Sequence, residues 1–324
     1  MNSSIDVPVL LIFWARPEPL RQTFEAIRKV RPSTLLLWQD GPRNEKDMSN
    51  IEACREIVEN IDWDCKVYRK YNEQNYGCDP STFLSHKWAF SIVDKCIVLE
   101  DDVVASESFF YFCKEMLDKY ENDTRINKIC GMNQVKNFTC PDSYFFSSVA
   151  TVWGWATWKR VADSWDQGYT FLDDEYSMGL VEALKGGKSY KDYLKVCQGH
   201  RATGKAHWET IQTYSRHLNS QINILPAKNL IHNVGLGENS THSNTQLQCL
   251  PKKVREVFYC EAEELEFPLK HPKYVIENVN YKKQLFKLTG RGNPWVLFWR
   301  RVEGFCLRMR YMGFKKTVSK IFKR

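Results

Sequence analysis

Several things this sequence does without narrow its class before any motif is read. Its eleven cysteines include no CxxC pair and no Cys/His spacing suited to zinc. An odd, scattered set of this kind argues against a disulfide framework and for a reducing compartment. The opening Met1-Asn2-Ser3-Ser4-Ile5-Asp6 has neither the basic start nor the apolar stretch of a secretory leader. The longest apolar runs, 9–14 and 295–299, fall far short of the ~18 residues a spanning helix needs. A cytoplasmic location is the expectation. No internal repeat is visible. Acidic residues are almost missing from one end. Residues 281–324 hold 13 Lys/Arg and one acid, Glu303, for a net +12, while the rest, with 33 basic and 38 acidic residues, carries −5. A mildly acidic body argues against a general nucleic-acid groove there.

What is present is enough apolar material for a real core: 43% hydrophobic and 14% aromatic residues in a chain of 324. Residues 7–14 (VPVLLIFW) and 34–38 (TLLLW) are continuous apolar runs, as strands buried on both faces require. Between them, Arg16-Pro17-Glu18-Pro19 can open a helix that carries Leu20, Phe24, Ile27 and Val30 at helical spacing. Ile51, Cys54, Val58 and Ile61 mark a second helix, 64–71 a third strand, 82–93 a third helix, and 96–99 a fourth strand. A helix is expected over 109–120. This rhythm predicts βαβ units and a mostly parallel sheet with helices on both faces. Further on, 144–152 reads as a strand, 155–165 and 207–218 as helices, and 221–225 as a short strand. Residues 235–244, rich in Gly, Ser, Thr and Asn, read as a mobile loop.

Three acids, Glu100, Asp101 and Asp102, follow the fourth strand directly. Carboxylates crowded at a strand end make sense where a cation sits. Mg²⁺ and Mn²⁺ are hard ions that commonly take one or two protein carboxylates and fill their other positions with water and substrate phosphates. A solvated acidic loop, or an N-cap cluster for the helix near Ser106, would use the same residues. Asp40 stands at the end of the second strand, in Gln39-Asp40-Gly41-Pro42, which is also a turn sequence. Ligands in such sheets lie beyond the C-terminal ends of the strands.

Several stretches, in order, resemble the N-acetylglucosaminyltransferase I family and its bacterial relatives, which are GT-A fold glycosyltransferases. They are Val9-Leu10-Leu11-Ile12 with Ala15-Arg16, Trp38-Gln39-Asp40-Gly41, Ser85-His86-Lys87-Trp88-Ala89-Phe90, and Glu100-Asp101-Asp102-Val103 followed by Ser108-Phe109-Phe110-Tyr111-Phe112. The likeness covers roughly 7–245 and is loose from 113 to 200. It implies a GT-A type nucleotide-sugar-binding fold with a mostly parallel, mixed central sheet, plus a basic C-terminal helical extension. The implied division is a domain over 1–245, with a donor-nucleotide half (1–132) and an acceptor-side half with lid (133–245), and an extension over 246–324 whose basic, aromatic-rich tail starts at about 281. It also implies that Asp102 binds the metal, Mn²⁺ or Mg²⁺, and that Arg16, Asp40, Lys87, Glu100 and Asp101 contact a UDP-sugar donor. An Asp carboxylate can accept a hydrogen bond from the imide N–H of uracil, which suits Asp40 to that role. Arg16 can face a phosphate or hold a local carboxylate.

An inverting sugar transfer needs a base for the acceptor hydroxyl. The resemblance places it in Ala206-His207-Trp208-Glu209-Thr210, at Glu209, which can also be read as a helix N-terminal carboxylate. Val152-Trp153-Gly154-Trp155-Ala156-Thr157-Trp158 offers an aromatic wall for a sugar, with Trp155 as the acceptor-binding candidate, while Trp158 reads almost equally as part of a Trp-rich core seam. In 235–243, Ser240 and His242 offer donors to a diphosphate from a closing lid, and His242 could instead complete the metal shell. His232 reads as structural.

The tail interleaves cations with Trp295, Phe298, Trp299 and other rings, as segments that lie on anionic membranes do. The expected function is a metal-dependent, inverting glycosyltransferase. It would move a sugar from a UDP-sugar to a hydroxyl of a glycan or lipid-linked acceptor in surface polysaccharide assembly. It would be cytoplasmic, peripheral on the inner face of the cell membrane, and would have no nucleic-acid partner. The rivals are a nucleotidyltransferase, which would want a Gly-rich, cation-bearing first loop that Phe13-Trp14-Ala15-Arg16-Pro17 does not offer, and a non-catalytic membrane adaptor on a degenerate fold.

Overall fold

A computed structural model describes residues 5–185, 187–235, 247–291 and 293–314. The elements run β1 (Val9–Phe13), α1 (Pro17–Val30), β2 (Thr34–Gln39), α2 (Met48–Glu59), β3 (Lys66–Tyr71), α3 (Cys78–Ala89), β4 (Lys95–Glu100), β5 (Val103–Ala105), α4 (Glu107–Lys119) and β6 (Ile126–Cys130). They continue β7 (Tyr144–Ser147), β8 (Trp155–Trp158), α5 (Lys159–Ala162), α6 (Glu175–Lys185), α7 (Gly187–Thr203), α8 (Trp208–Leu218), β9 (Ile222–Pro226), β10 (Ile231–Asn233), α9 (Lys252–Phe258), α10 (Val279–Thr289) and α11 (Pro294–Met312).

The protein is α/β. Eight strands form one mixed sheet in the order β3-β2-β1-β4-β8-β6-β9-β7, and β10 pairs with β5 in a two-stranded sheet. The first four positions are parallel, as the buried apolar runs predict. Every residue of β1 is buried. The pleat sends alternate side chains to opposite layers. Val9, Leu11, Leu35, Leu37, Ile97 and Leu99 pack with Phe24 and Ile27 of α1 and with α4. Leu10, Leu36, Trp38, Cys96 and Val98 pack with Phe83 of α3 and with Trp208 and Ile211 of α8. Pro17 at the first turn starts α1, where a missing N–H costs nothing.

Register decides where the polar groups fall. Phe13 lies opposite Gln39, and Ile12 opposite Glu100. The segments after β1, β2 and β4 therefore leave the sheet at one edge, which brings Trp14–Arg16, Asp40 and Glu100–Asp102 together.

The second half departs from expectation. Residues 155–158 form a strand, β8, antiparallel to β4 and β6, and only 159–162 are helical, where a helix over 155–165 was expected. The strand expected over 144–152 ends at Ser147. Strands β5, β6 and β10 and helices α6 and α7 had no sequence signal strong enough to assign. Among the described residues, no helix is long and apolar enough to cross a membrane.

Candidate functional site

A cleft of about 460 Å³ opens at the C-terminal edge of the parallel strands. Its lining includes Trp14, Arg16, Asp40, Arg43, Asn75, Cys78, Ser81, Glu100 and Asp101. The volume is in the range of small-ligand sites.

Arg16 is the hub. Its guanidinium donates from Nε to Asp101 Oδ2 at 3.2 Å and from Nη2 to Asp101 Oδ1, and its Nη1 reaches Asp102 Oδ2 at 2.9 Å. One planar fork thus holds two consecutive carboxylates. Burial opposes the Arg16 charge, but Asp101 and Asp102 more than offset that, so the group stays cationic. Asp101 is buried, and the Thr23 hydroxyl of α1 donates to its carbonyl at 3.1 Å. Burial pushes the Asp101 carboxyl up and Arg16 pulls it back. Asp101 thus anchors Arg16, and its two oxygens are engaged there rather than turned to a ligand. Asp102 is only partly covered, with its side chain 13% exposed.

Among the described residues, Glu100 forms no ion pair of its own and feels Arg16 only at longer range. Burial, then Asp102, Asp101 and Glu209, push its carboxyl up to about 8, against the opposing pull of Arg16. A folded-state value above the ordinary 4.5 means folding favours the protonated form. Stability from this group is full below about 4.5 and is lost as pH rises to about 8. In chelator, Glu100→Gln is therefore expected to be more stable than the wild type at pH 8, by on the order of 2 kcal/mol after discounting for partial exposure, and nearly equal to it at pH 4.5. Denaturant melts at the two pH values check this; the same difference between variant and wild type at both would refute it.

Asp40 is 6% exposed. Its Oδ1 accepts from the backbone N–H groups of Gly41 (3.1 Å) and Tyr76 (2.9 Å), and its Oδ2 from Gly77 N–H (3.0 Å) and Asn75 Nδ2 (3.1 Å). Burial raises its pKa and these bonds lower it, for a net rise. Its lone pairs are taken, so an imide N–H would have to displace a donor. The carboxylate instead pins the 75–77 loop against the end of β2. Gly41 permits that approach, because a Cβ there would lie 2.5 Å from the Gln74 backbone. Trp14 and Arg43, which sequence reasoning did not single out, form the far wall. The Arg43 guanidinium lies 4.1 Å from the Trp14 ring centroid, and Trp14 Nε1 donates to the Gly41 carbonyl at 2.8 Å. No periodicity marks these two, since both sit in irregular loops.

Glu209 lies in the first turn of α8, exposed. His207 Nδ1 meets Asp79 Oδ2 at 3.1 Å and so ties α8 to the start of α3. That tie brings Glu209 near the cleft, where its charge, after burial and nearer acids, helps push up both Cys78 and Glu100.

Two expectations fail on geometry. Trp155 is 1% exposed, stacked on Trp208 (6.1 Å between centroids) and His86 (5.2 Å) inside the core. It offers no face to an acceptor, so its assignment to the acceptor is corrected: Trp155 belongs to the core. Lys87 lies on the outer side of α3, and its Nζ donates to the Ala162 carbonyl at 3.1 Å, away from the cleft. The neighbouring His86 faces inward, and burial pulls its pKa down to about 4, leaving it neutral. His232 is structural in kind, its Nδ1 3.0 Å from the Cys260 carbonyl. Ser240 and His242 lie outside the described residues. The segment that leads to them starts hard against Asp102: Val234 N–H donates to the Asp102 carbonyl at 2.9 Å, and a Cβ on Gly235 would fall 1.9 Å from Asp102 Oδ2.

Whether these residues suit a divalent cation can be judged from charge. Among the described residues, no cluster of three or more ligating side chains is formed. An ion that brings phosphates and water needs only one or two carboxylates. Asp102, partly exposed beside the strongly raised Glu100 in a group of acids that, among the described residues, Arg16 balances, fits that requirement.

No family model matches the chain, and no curated protein matches it. One of the solved structures it matches is 4-diphosphocytidyl-2C-methyl-D-erythritol synthase from Anaerococcus prevotii. The identity is 12%, the TM-score 0.31, and the match covers 52% of this chain and 78% of that one. So loose a likeness carries no argument about activity.

Proposed function

We propose that the protein is a metal-dependent, inverting glycosyltransferase that moves a sugar from a UDP-sugar to a hydroxyl of a glycan or lipid-linked acceptor in cell-surface polysaccharide assembly. The observation that carries this reading is the shared edge of β1, β2 and β4, where Arg16 grips Asp101 and Asp102 within a cleft that Asp40 and its loop close on the other side. Asp102 would hold Mn²⁺ or Mg²⁺, with Glu100 beside it. When bound, the ion supplies positive charge against the negative charge growing on the departing diphosphate. Trp14, Arg43 and the 75–77 loop would hold the nucleoside, with Asp40 keeping the loop in place. Glu209 would take the proton of the acceptor hydroxyl as its oxygen forms a bond to the anomeric carbon and the bond from that carbon to the diphosphate oxygen breaks. Ser240 and His242 would act from the segment after Gly235. The basic tail would keep the enzyme on the inner face of the cell membrane.

The nucleotidyltransferase alternative asks for a cation-rich first loop; the one cation there, Arg16, is committed to Asp101 and Asp102. Calorimetry with UDP, with and without Mn²⁺, followed by assays of UDP release from a panel of UDP-sugars, tests the proposal. Binding of UDP that tightens with Mn²⁺ is expected. Heats indifferent to the metal would favour the adaptor, and pyrophosphate released from a nucleoside triphosphate would favour the nucleotidyltransferase.

A further inference from the structure

Among the described residues, helix α11 is held to the body along one side. Its N-cap Asn293 accepts from the backbone of Trp295 and Val296 at 3.1 and 3.2 Å. Arg300 donates to the Leu288 carbonyl, Glu303 Oε1 accepts from Lys252 N–H at 3.0 Å, and Gly304 is buried against Pro251. At 100° per residue those contacts share one face. The opposite face is an arc of about 120° that carries Trp295, Phe298, Trp299, Val302, Phe305 and Met309, without a charge. Trp295 is 74% exposed, Phe298 52%, Trp299 63% and Phe305 36%. Soluble surfaces scatter such side chains singly, and a contiguous stripe of them marks an interaction site. Arg301 and Arg310, both exposed, flank the stripe on either edge.

We infer that this outward face of α11 docks on the interface of an anionic lipid bilayer, lying in the plane with its rings among the acyl-chain boundary and its flanking arginines at the headgroup phosphates. Two observations select this occupant. Apolar stripe and basic edges together match a surface that is greasy inside and negative outside. The charge is also lopsided, with +12 over 281–324 against −5 for the remainder, so anionic lipid attracts this end and repels the body. The contacts at Leu288, Lys252 and Pro251 fix the helix on the protein, so docking would set the orientation of the body over the membrane as well as its location. The inference rests on the membrane location proposed above, which it deepens, and stands independently of how the cleft is read.

Flotation of the full chain tests it, with vesicles of phosphatidylcholine alone and with about 30 mol% phosphatidylserine added. The wild type is expected to float with the anionic vesicles, to do so less as salt rises, and to stay behind with the neutral ones. Trp295→Ser/Phe298→Ser/Trp299→Ser should lower the vesicle affinity on the order of tenfold or more. Arg301→Glu/Arg310→Glu should lower it by a comparable factor while leaving UDP calorimetry and the circular dichroism spectrum as in the wild type. Affinity unchanged in both variants would overturn the inference, as would equal flotation with neutral vesicles. A wild type that sediments as a dimer, becomes monomeric in the triple variant and ignores lipid would assign the stripe to a second copy of the chain instead.

Discussion

Asp102→Ala is expected to lower UDP release on the order of a thousandfold while leaving the fold intact, a loss of about 4 kcal/mol of transition-state stabilisation. The two halves of that statement have separate grounds. Activity should collapse because Asp102 is partly exposed and placed to hold an ion, whereas Asp101 is buried beneath Arg16. Stability should survive because Arg16 keeps its paired contact with Asp101 and because removing one of several crowded carboxylates relieves repulsion on Glu100. The measurement is initial rate against Mn²⁺ concentration for wild type, Asp102→Ala and Asp102→Asn, with melting curves alongside. Undiminished metal-dependent turnover in Asp102→Ala would count against the assignment of the metal. A rate loss matched by a collapse of the melt would show that Asp102 serves the fold.

How much of this was visible in the sequence differs between the two halves. β1, β2 and β4 announced themselves because strands covered by helices on both faces must be apolar throughout, and VLLIF and TLLLW are. The strand-end acids were legible for the same reason: a carboxylate directly after such a run has nowhere to go but the sheet edge. β6 hid because its buried sequence, INKIC, contains Lys128, whose Nζ finds Gln212 Oε1 at 2.8 Å and the Trp155 ring at 5.3 Å. Only the tertiary fold supplies those partners. β8 was misread because four residues, WATW, are too few to display a period, and the helical residues that follow lent it theirs. Face is what an aromatic run cannot disclose, so Trp155 was assigned to a ligand when its partners are His86 and Trp208. Asp40 shows the same limit within the site. Its position was legible, but three of its donors come from a loop about 35 residues later in the chain, and these decide that it organises the wall of the cleft.

Arg16→Met is expected to cost about 3–5 kcal/mol of stability at pH 7, more than any activity-neutral change at the cleft should. The reason is asymmetry. The intact pair gains little over a well-packed apolar pair, since both charges have been taken out of water, but removing only the arginine strands the Asp101 carboxylate in a buried place. Among the described residues, the other donor to that carboxylate is a long contact of 3.4 Å from Trp14 N–H. Asp102 and Glu100 would lose their counter-charge in the same stroke. The direction with pH follows. Burial already raises the folded-state pKa of Asp101, and Arg16 opposes that rise, so the substitution lifts it further. A carboxyl raised in the folded state gives its full stability below the unfolded value and loses it as pH rises through the folded one. The deficit of Arg16→Met should therefore shrink as the solution is acidified from pH 7 towards 4. Arg16→Met/Asp101→Leu should recover much of the loss at pH 7, because the most deeply buried carboxylate is removed along with its partner, while Asp102 and Glu100 still lack their counter-charge. Urea melts of the three proteins at both pH values provide the measurement. A double variant as unstable as the single one would mean that Arg16 matters through its packing, and a deficit independent of pH would mean that Asp101 is not the group left stranded.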